Sequence, residues 1–197
     1  MTRTTTTAKR FGSVFAILAL LQGFSVQPAF GFYETLTAPH ERAKVGVPVR
    51  LKIPGIRVNA AIRDVGLAPD GSMALAKSAR DTGWYMRGPK PGEIGTAVIA
   101  GHVNWVMDWL YGTSGVFAKL NTLKPGDIIT VQDDTGTSTQ FIVRTSRIYN
   151  HKDNATDIFH SYDGEAHLNL VTCTGVWDKK AKTYSQRLVV FADKVVK

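Results

Sequence analysis

Three residue types in this sequence can act together on a carbonyl group: a cysteine, a histidine and an arginine. Cys173 is the single cysteine of the chain, and a thiolate is a strong nucleophile. His102 can transfer protons near neutral pH. Arg187 carries a permanent positive charge and several N–H donors, which can stabilise an oxyanion. Together these groups can perform nucleophilic acyl transfer.

Strand-like segments place two of these residues at predicted strand boundaries. Cys173 follows the alternating segment His167–Thr172, and Arg187 precedes the apolar segment Leu188–Ala192. If the two strands form an antiparallel hairpin, Arg187 lies beside Cys173. The connection 174–186 would then be a long loop, of a kind that often belongs to a binding site.

His102 differs from the other histidines in its local sequence. It follows the apolar segment Ala97–Ala100 and a glycine, which lets the backbone turn closely. The others lie among polar residues and are predicted to be solvated: His40, His151, His160 and His167. A cysteine and a histidine that are distant in sequence, both at strand ends, are typical of a nucleophile and its base.

Each of the three residues also has a structural interpretation. Free cysteine is among the most buried residue types, so Cys173 can be an inert core thiol or form an intermolecular bridge. Arg187 can be a solvated cation on an edge strand, and His102 can be a surface loop residue. The residue types alone therefore leave catalytic and structural roles open.

The N-terminal part of the chain predicts export from the cytoplasm. A basic stretch ending in Lys9-Arg10 precedes the apolar run Phe11–Val26, so residues 1–31 are predicted to be a signal peptide or a retained membrane anchor. Residues 32–47 are predicted to be a linker, and residues 48–197 one folded domain. Either reading places this domain outside the cytoplasm, with the membrane as a partner if the segment is retained.

Composition excludes several other classes of function. The formal net charge is +8 over 197 residues, but there is no basic run, zinc-ligand spacing or aromatic RNA-binding motif, so nucleic acid is not an expected partner. No acidic cluster predicts a metal site, and no cofactor is expected. A single cysteine also excludes an internal disulfide.

Short β-rich segments separated by Gly and Pro turns predict a mainly β domain, a closed or nearly closed barrel with one or two short helices. The nearest approach to helical periodicity is Val116–Leu123, which is long enough for about two turns. The predicted strands are Val49–Ile53, Val58–Val65, Ala97–Ala100, Ile128–Gln132, Phe141–Ile148, His167–Thr172 and Leu188–Ala192.

These residues resemble the sortase family. Leu170, Thr172 and Cys173 match the family's Thr-Leu-x-Thr-Cys signature, and His102 and Arg187 match the other two members of its triad. The resemblance extends over about residues 50–192 through the segments LKIPGIRVNAAI, DGSMALA, TGWYMRGPKPGEIGTAVIAGHVN, VFAKLNTLKPGD and YSQRLVVFA. The Gly-Trp-Tyr, Pro-Gly-Glu and Gly-His-Val-Asn stretches are most similar to class F sortases.

The resemblance implies a closed eight-stranded sortase-type barrel and a cysteine transpeptidase activity. Such an enzyme cleaves a C-terminal LPxTG-like sorting signal after threonine, forms a thioester, and transfers the protein to an amine of the cell envelope. Cys173 would be the nucleophile, His102 the general acid and base, and Arg187 the oxyanion stabiliser. Four flanking residues are expected to contact substrate: Thr172, Thr174, Asn104 and Trp105.

The sequence departs from the family pattern at two places. Asn169 stands where the first threonine of the signature is usual. Residues 105–115 form a longer and more aromatic link than usual, in which Trp105, Trp109 and Tyr111 could line the substrate groove or touch the membrane. These aromatic residues can equally pack on the barrel as a short helix or lid.

Two alternative functions remain open at this stage. The same site can hydrolyse its acyl-enzyme or act on peptidoglycan peptides, although the Ser-His-Gly-Cys pattern of L,D-transpeptidases is absent. The domain can also be a catalytically inactive barrel that binds the cell envelope. The sequence does not distinguish water from an amine as the acceptor.

Overall fold

Eight strands form a closed barrel in the computed structural model, which describes residues 44–104, 114–150, 153–181 and 183–196. Around the barrel the strands follow the order β1-β2-β3-β4-β7-β8-β6-β5. Their bounds are β1 Pro48–Ile53, β2 Val58–Val65, β3 Thr82–Tyr85, β4 Gly95–Gly101, β5 Ile128–Asp133, β6 Ser138–Asn150, β7 Ala166–Asp178 and β8 Thr183–Lys194. The predicted mainly β, closed eight-stranded barrel is confirmed.

The secondary structure differs from the periodicity analysis at two elements. β3 was not recognised, because it has only 4 residues and contains a glycine. The two-turn helix expected in Val116–Leu123 is instead the 3₁₀ turn Leu120–Thr122. The other helical elements of the described residues are also 3₁₀ turns, Pro54–Ile56 and Thr156–Ile158.

Alternating side chains of the strands fill the barrel interior. Leu168 and Leu170 of β7 point inward together with Leu188 and Val190 of β8, and all four are buried. Burying one such side chain stabilises the fold by about 1.5–3 kcal/mol. The barrel interior is therefore a packed apolar core, and polar chemistry is expected on the outside of the barrel.

A second apolar cluster lies on the outer face of β4, β7 and β8. Val98, Val189 and Phe191 pack there with Ile158, which belongs to the connection between β6 and β7. Partly buried side chains extend this outer cluster: Met73, Tyr85, Tyr149, Ala155, Phe159 and Val171. The β6–β7 connection is thus held against the sheet by apolar contacts.

Asn169 anchors this connection with a hydrogen bond. Its side chain is only 2% exposed, and Nδ2 donates to the backbone carbonyl of Ile158 at 2.7 Å. The residue that departs from the family signature is therefore fully buried and has a specific partner. It joins β7 to the 3₁₀ turn Thr156–Ile158.

Replacing Asn169 with alanine is expected to lower the free energy of unfolding by about 1–3 kcal/mol, because the buried Ile158 carbonyl loses its donor. Asn59→Ala is a matched control, since Asn59 is exposed on β2 and should change stability by about 0.5 kcal/mol or less. Chemical denaturation of both variants measures the difference. Equal stability of the two variants would contradict the anchoring role.

The family-like stretches before β4 have structural roles. The buried Trp84 of β3 donates from its indole nitrogen to the Pro89 carbonyl at 3.0 Å, and the Glu93 carboxylate accepts from the Lys90 backbone N–H at 2.8 Å. Both contacts fix the turn between β3 and β4. β4 begins directly after this turn, and His102 follows the other end of the strand.

The end of the predicted linker 32–47 belongs to the folded unit, which comprises residues 43–197. The backbone N–H groups of Gly46 and Val47 donate to the carboxylates of Asp133 and Asp134, at 3.1 and 2.8 Å. These contacts tie the entry to β1 to the turn after β5. The predicted signal or anchor, residues 1–31, lies outside the described residues.

Candidate active site

Cys173 and Arg187 are directly opposite each other on the antiparallel pair β7–β8. The predicted hairpin is therefore confirmed, but its predicted connection is wrong. Both strands continue beyond the site, so only residues 179–182 separate them, in place of a loop over 174–186. Cys173 consequently lies inside β7 and not at its end. Polar and aromatic residues keep the two strands paired here across a bulge.

His102 reaches the same place from the other side of β7. β4 and β7 are parallel, and Ala100 pairs with Val171. Two residues after this pair come His102, directly beyond the end of β4, and Cys173 on β7. The buried hydroxyl of Thr172 donates to the Gly101 carbonyl at 2.8 Å, which joins the two strands at this level.

Cys173 and Arg187 lie in one row on the outer face of the barrel, and His102 follows the neighbouring strand β4. Val171 and Val189, two residues from Cys173 and Arg187, both belong to the outer cluster, and side chains of a strand return to the same face every second residue. All three candidate side chains are half-buried. The site is therefore next to a rigid sheet and still open to a substrate.

Burial raises the pKa of the Cys173 thiol above its ordinary value, and the positive charge of Arg187 partly opposes this shift. The expectation that a neighbouring cation would favour the thiolate is thus met only in part, because desolvation is the larger effect. In the resting protein Cys173 is a neutral thiol at neutral pH. Its proton has to be removed before or during attack.

The pH dependence of alkylation should show this shift directly. Iodoacetamide reacts with the thiolate, so the rate against pH is expected to have a higher midpoint in the folded protein than in the protein unfolded in urea. The assay reports Cys173 alone, because the chain has 1 cysteine. A midpoint in the folded protein equal to or below that of the unfolded protein would contradict the effect of burial.

The His102 ring and backbone are both held. Nε2 lies 2.9 Å from the Ala76 carbonyl; because a carbonyl only accepts, Nε2 carries the hydrogen. The His102 carbonyl accepts from the Phe117 N–H at 2.9 Å. Gly115 also approaches the His102 carbonyl so closely that a Cβ there would collide with it. The segment after the histidine therefore fixes its position.

Three hydrogen bonds along β8 hold the guanidinium of Arg187. Nη1 donates to the carbonyls of Tyr184 and Gln186, both at 2.9 Å. Nη2 donates to the hydroxyl of Thr183 at 3.0 Å. No carboxylate within the described ranges forms an ion pair with Arg187, so its charge is not neutralised there.

The four residues expected to contact substrate have different positions. Thr172 is 4% exposed and its hydroxyl joins β7 to β4; its contact with substrate stays a prediction. Thr174 is half-buried and pairs with Gln186. Asn104 is exposed and donates to the Tyr184 hydroxyl at 2.6 Å. Trp105 lies outside the described residues, as do Trp109 and Tyr111.

His167 corrects a prediction, since it is buried and not solvated. Its Nδ1 lies 2.8 Å from Asp193, and its Nε2 lies 2.9 Å from Asp163. The register explains the error, because His167 pairs with Asp193 across β7–β8, and no local sequence pattern shows that pairing. His160 is exposed as predicted, while His40 and His151 lie outside the described residues.

Sequence reasoning missed the partners that orient the candidate residues. Thr183 and Tyr184 hold Arg187, and Ala76 holds His102. Ala76 contributes only a backbone carbonyl, which leaves no signal in the sequence. Thr183 is four positions before Arg187, and only the course of the strand brings its hydroxyl to the guanidinium.

The described residues contain no group of three or more His, Cys, Asp or Glu side chains that could hold a metal ion. In the same part of the chain, no helix has the length and apolar character needed to cross a membrane.

The fold and the site together define a closed β-barrel whose single cysteine lies between a histidine and an arginine on neighbouring strands. A family model described as the sortase domain matches residues 51–195. This chain belongs to the sortase family, which comprises cysteine transpeptidases associated with the cell envelope. No curated protein matches the chain.

Solved structures with a similar fold include sortases of several classes. Sortase C-1 from Actinomyces oris has 24% identity and a TM-score of 0.58, with 76% of this chain and 76% of that chain covered. A lid mutant of sortase A from Corynebacterium diphtheriae has 23% identity and a TM-score of 0.59, with 79% and 74% covered. A Clostridium perfringens sortase D5 transpeptidase has 23% identity and a TM-score of 0.55, with 77% and 79% covered.

Proposed function

We propose that this protein cleaves a C-terminal LPxTG-like sorting signal after threonine and transfers the preceding protein to an amine of the cell envelope. One observation carries the proposal. Cys173 is directly opposite Arg187 on β8, and His102 comes directly after the parallel strand β4, whose Ala100 pairs with Val171. A carbonyl placed over the sulfur is then flanked by a proton carrier and a cation.

The acylation step uses the three side chains in different ways. The Cys173 sulfur attacks the threonine carbonyl carbon, and the tetrahedral oxyanion is stabilised by N–H donors of Arg187. The thiol proton passes through His102 to the departing amine as the C–N bond breaks. The products are a thioester on Cys173 and a free amine on the released C-terminal segment.

The transfer step reverses the proton movement. An incoming amine attacks the thioester carbon and gives its proton to His102, which returns a proton to the Cys173 sulfur as the C–S bond breaks. One peptide bond is broken and one is formed, so no cofactor is required.

The partly buried side chains of the outer cluster, such as Val171 and Phe159, are suited to hold the apolar part of such a signal, whereas Val189 and Ile158 are buried. Val171 and Val189 lie on the same face as Cys173 and Arg187, two residues away on β7 and β8. Ile158 and Phe159 of the β6–β7 connection stand beside them. This surface is partly apolar and is rigidly held, which is what a short extended peptide needs for an ordered complex.

Assignment to class F is part of the same proposal. It is supported by the Gly-Trp-Tyr, Pro-Gly-Glu and Gly-His-Val-Asn stretches. The first two have structural roles at Trp84 and Glu93. The third contains His102 and Asn104. The proposal also includes an extracytoplasmic location, which the predicted export signal or membrane anchor at residues 1–31 would provide.

A peptide assay tests the function. The purified protein should cleave an LPxTG-type peptide labelled on both sides of the threonine, and added amine should appear in the product. Chromatography with and without the amine separates transfer from hydrolysis. No cleavage of a panel of LPxTG-type peptides, together with a native Cys173 that fails to react with a small thiol reagent, would instead favour an inactive binding barrel.

A further inference from the structure

The first residues of β8, next to the turn between β7 and β8, surround the guanidinium of Arg187. Thr183 supplies a hydroxyl, and Tyr184 and Gln186 supply carbonyls, all within 3.0 Å of a guanidinium nitrogen. These three groups are called the arginine cradle below. Two of them are backbone atoms, so the Thr183 hydroxyl is the only part of the cradle that a conservative substitution can remove.

The cradle itself is fixed by its surroundings. The ring of Tyr184 packs edge-on against Trp177 on β7, with centroids 5.1 Å apart. The Tyr184 hydroxyl accepts a hydrogen bond from Asn104, two residues after His102. Tyr184 is therefore held from both neighbouring segments, and its carbonyl has a defined position relative to the histidine and the cysteine.

A bulge in β7 shapes the same region. The register shifts between Thr174 and Trp177, and Gly175 has a positive φ of 84°. A Cβ at Gly175 would lie 2.5 Å from Ser185 Oγ and 2.9 Å from Gln186 Oε1. The glycine lets β7 pass close to β8 beside the cradle, a usual function of bulges at sites where a side chain has to be aimed.

The three bonds still leave donors for a substrate. A guanidinium has five N–H groups, and the cradle bonds involve Nη1 and one hydrogen of Nη2. The N–H of Nε and the second N–H of Nη2 are not engaged in these bonds. These two N–H groups can therefore donate to an oxyanion over Cys173 while the three hydrogen bonds of the cradle remain intact.

We propose that Thr183 is a positioning residue for the reaction: its hydroxyl holds the Arg187 guanidinium in the orientation that meets the oxyanion formed at Cys173. The proposal rests on the role of Arg187 in the proposed function. Thr183 accepts its hydrogen bond from Arg187 and acts through the arginine. Without its hydroxyl, Nη2 loses a partner and the guanidinium gains freedom to rotate.

The test compares Thr183→Val with Thr183→Ser in the full-length protein. Valine keeps the branched shape and removes the hydroxyl, whereas serine keeps the hydroxyl. Thr183→Val is expected to lower kcat for an LPxTG-type peptide by about tenfold with little change in KM, because a hydrogen bond to a charged group is lost. Thr183→Ser should stay within about twofold of the wild type.

A second readout does not depend on the peptide. The Arg187 charge lowers the pKa of Cys173 against the effect of burial, so a guanidinium that is no longer held should lower it less. The midpoint of iodoacetamide alkylation is then expected to move to higher pH in Thr183→Val and to stay unchanged in Thr183→Ser.

The outcomes separate the two proposals. Wild-type kcat and an unshifted alkylation midpoint in Thr183→Val would overturn the positioning role, and so would equal impairment of the serine and valine variants. If the wild type cleaves no peptide but the midpoint still moves in Thr183→Val alone, the cradle is supported and the proposed function fails.

Discussion

Cys173→Ala protein should fold normally and show no cleavage or transfer of a sorting-signal peptide. The chain has 1 cysteine, so no second thiol can form the thioester. Loss of a catalytic nucleophile commonly costs more than about 10³-fold in turnover. The change removes a half-buried sulfur from the outer face of β7, which leaves the barrel interior untouched. The thermal unfolding midpoint should therefore stay close to that of the wild type.

Mass spectrometry provides the complementary measurement. When the wild type is mixed with peptide in the absence of an amine, it should gain the mass of the acyl fragment up to threonine, and Cys173→Ala should gain none. Cys173→Ser tests whether an oxygen nucleophile suffices and should also be severely impaired. Turnover by Cys173→Ala equal to the wild type would end the transpeptidase proposal.

Arg187→Lys is expected to lower kcat by about 10²–10³-fold, the cost of losing an oxyanion donor. Lysine keeps the positive charge but replaces the planar set of five donors with a point charge on a flexible stem. It cannot reproduce the bonds that Arg187 makes with Thr183, Tyr184 and Gln186 at once. The geometry of the donors is lost although the charge remains.

Arg50→Lys is the matched control for this variant. Arg50 is exposed on β1, which neighbours β2 and β5 and none of the strands of the site. Steady-state kinetics should show a large fall in kcat for Arg187→Lys and none for Arg50→Lys. Turnover of Arg187→Lys close to that of the wild type would show that charge alone suffices at this position.

The strands and the three candidate residues could be predicted from the sequence because both leave local signals. Alternating apolar residues mark β7 and a continuous apolar run marks β8. The single cysteine, the Gly-His pair and the arginine have recognisable neighbours. The short β3 left no such signal. Its residues Thr82–Tyr85 are ordered by pairing with β2 and β4, which are distant in sequence.

Other predictions failed because pairing extends further than periodicity shows. Most residues after Cys173 are polar or aromatic, and the segment 174–186 was interpreted as a loop. In the structure Trp177 pairs with Tyr184, and β7 and β8 continue around the bulge at Gly175. His167 was predicted to be solvated for a similar reason: its two carboxylate partners come from a loop and from β8.

The sequence by itself determined a mainly β domain with one cysteine, one well-placed histidine and one well-placed arginine, since residue type and local pattern are properties of the chain alone. Only the tertiary structure decided that Cys173 lies between the other two on neighbouring strands, and that Thr183, Tyr184 and Ala76 orient them. The reason is physical: register, bulges and barrel closure depend on contacts between residues that are far apart in sequence.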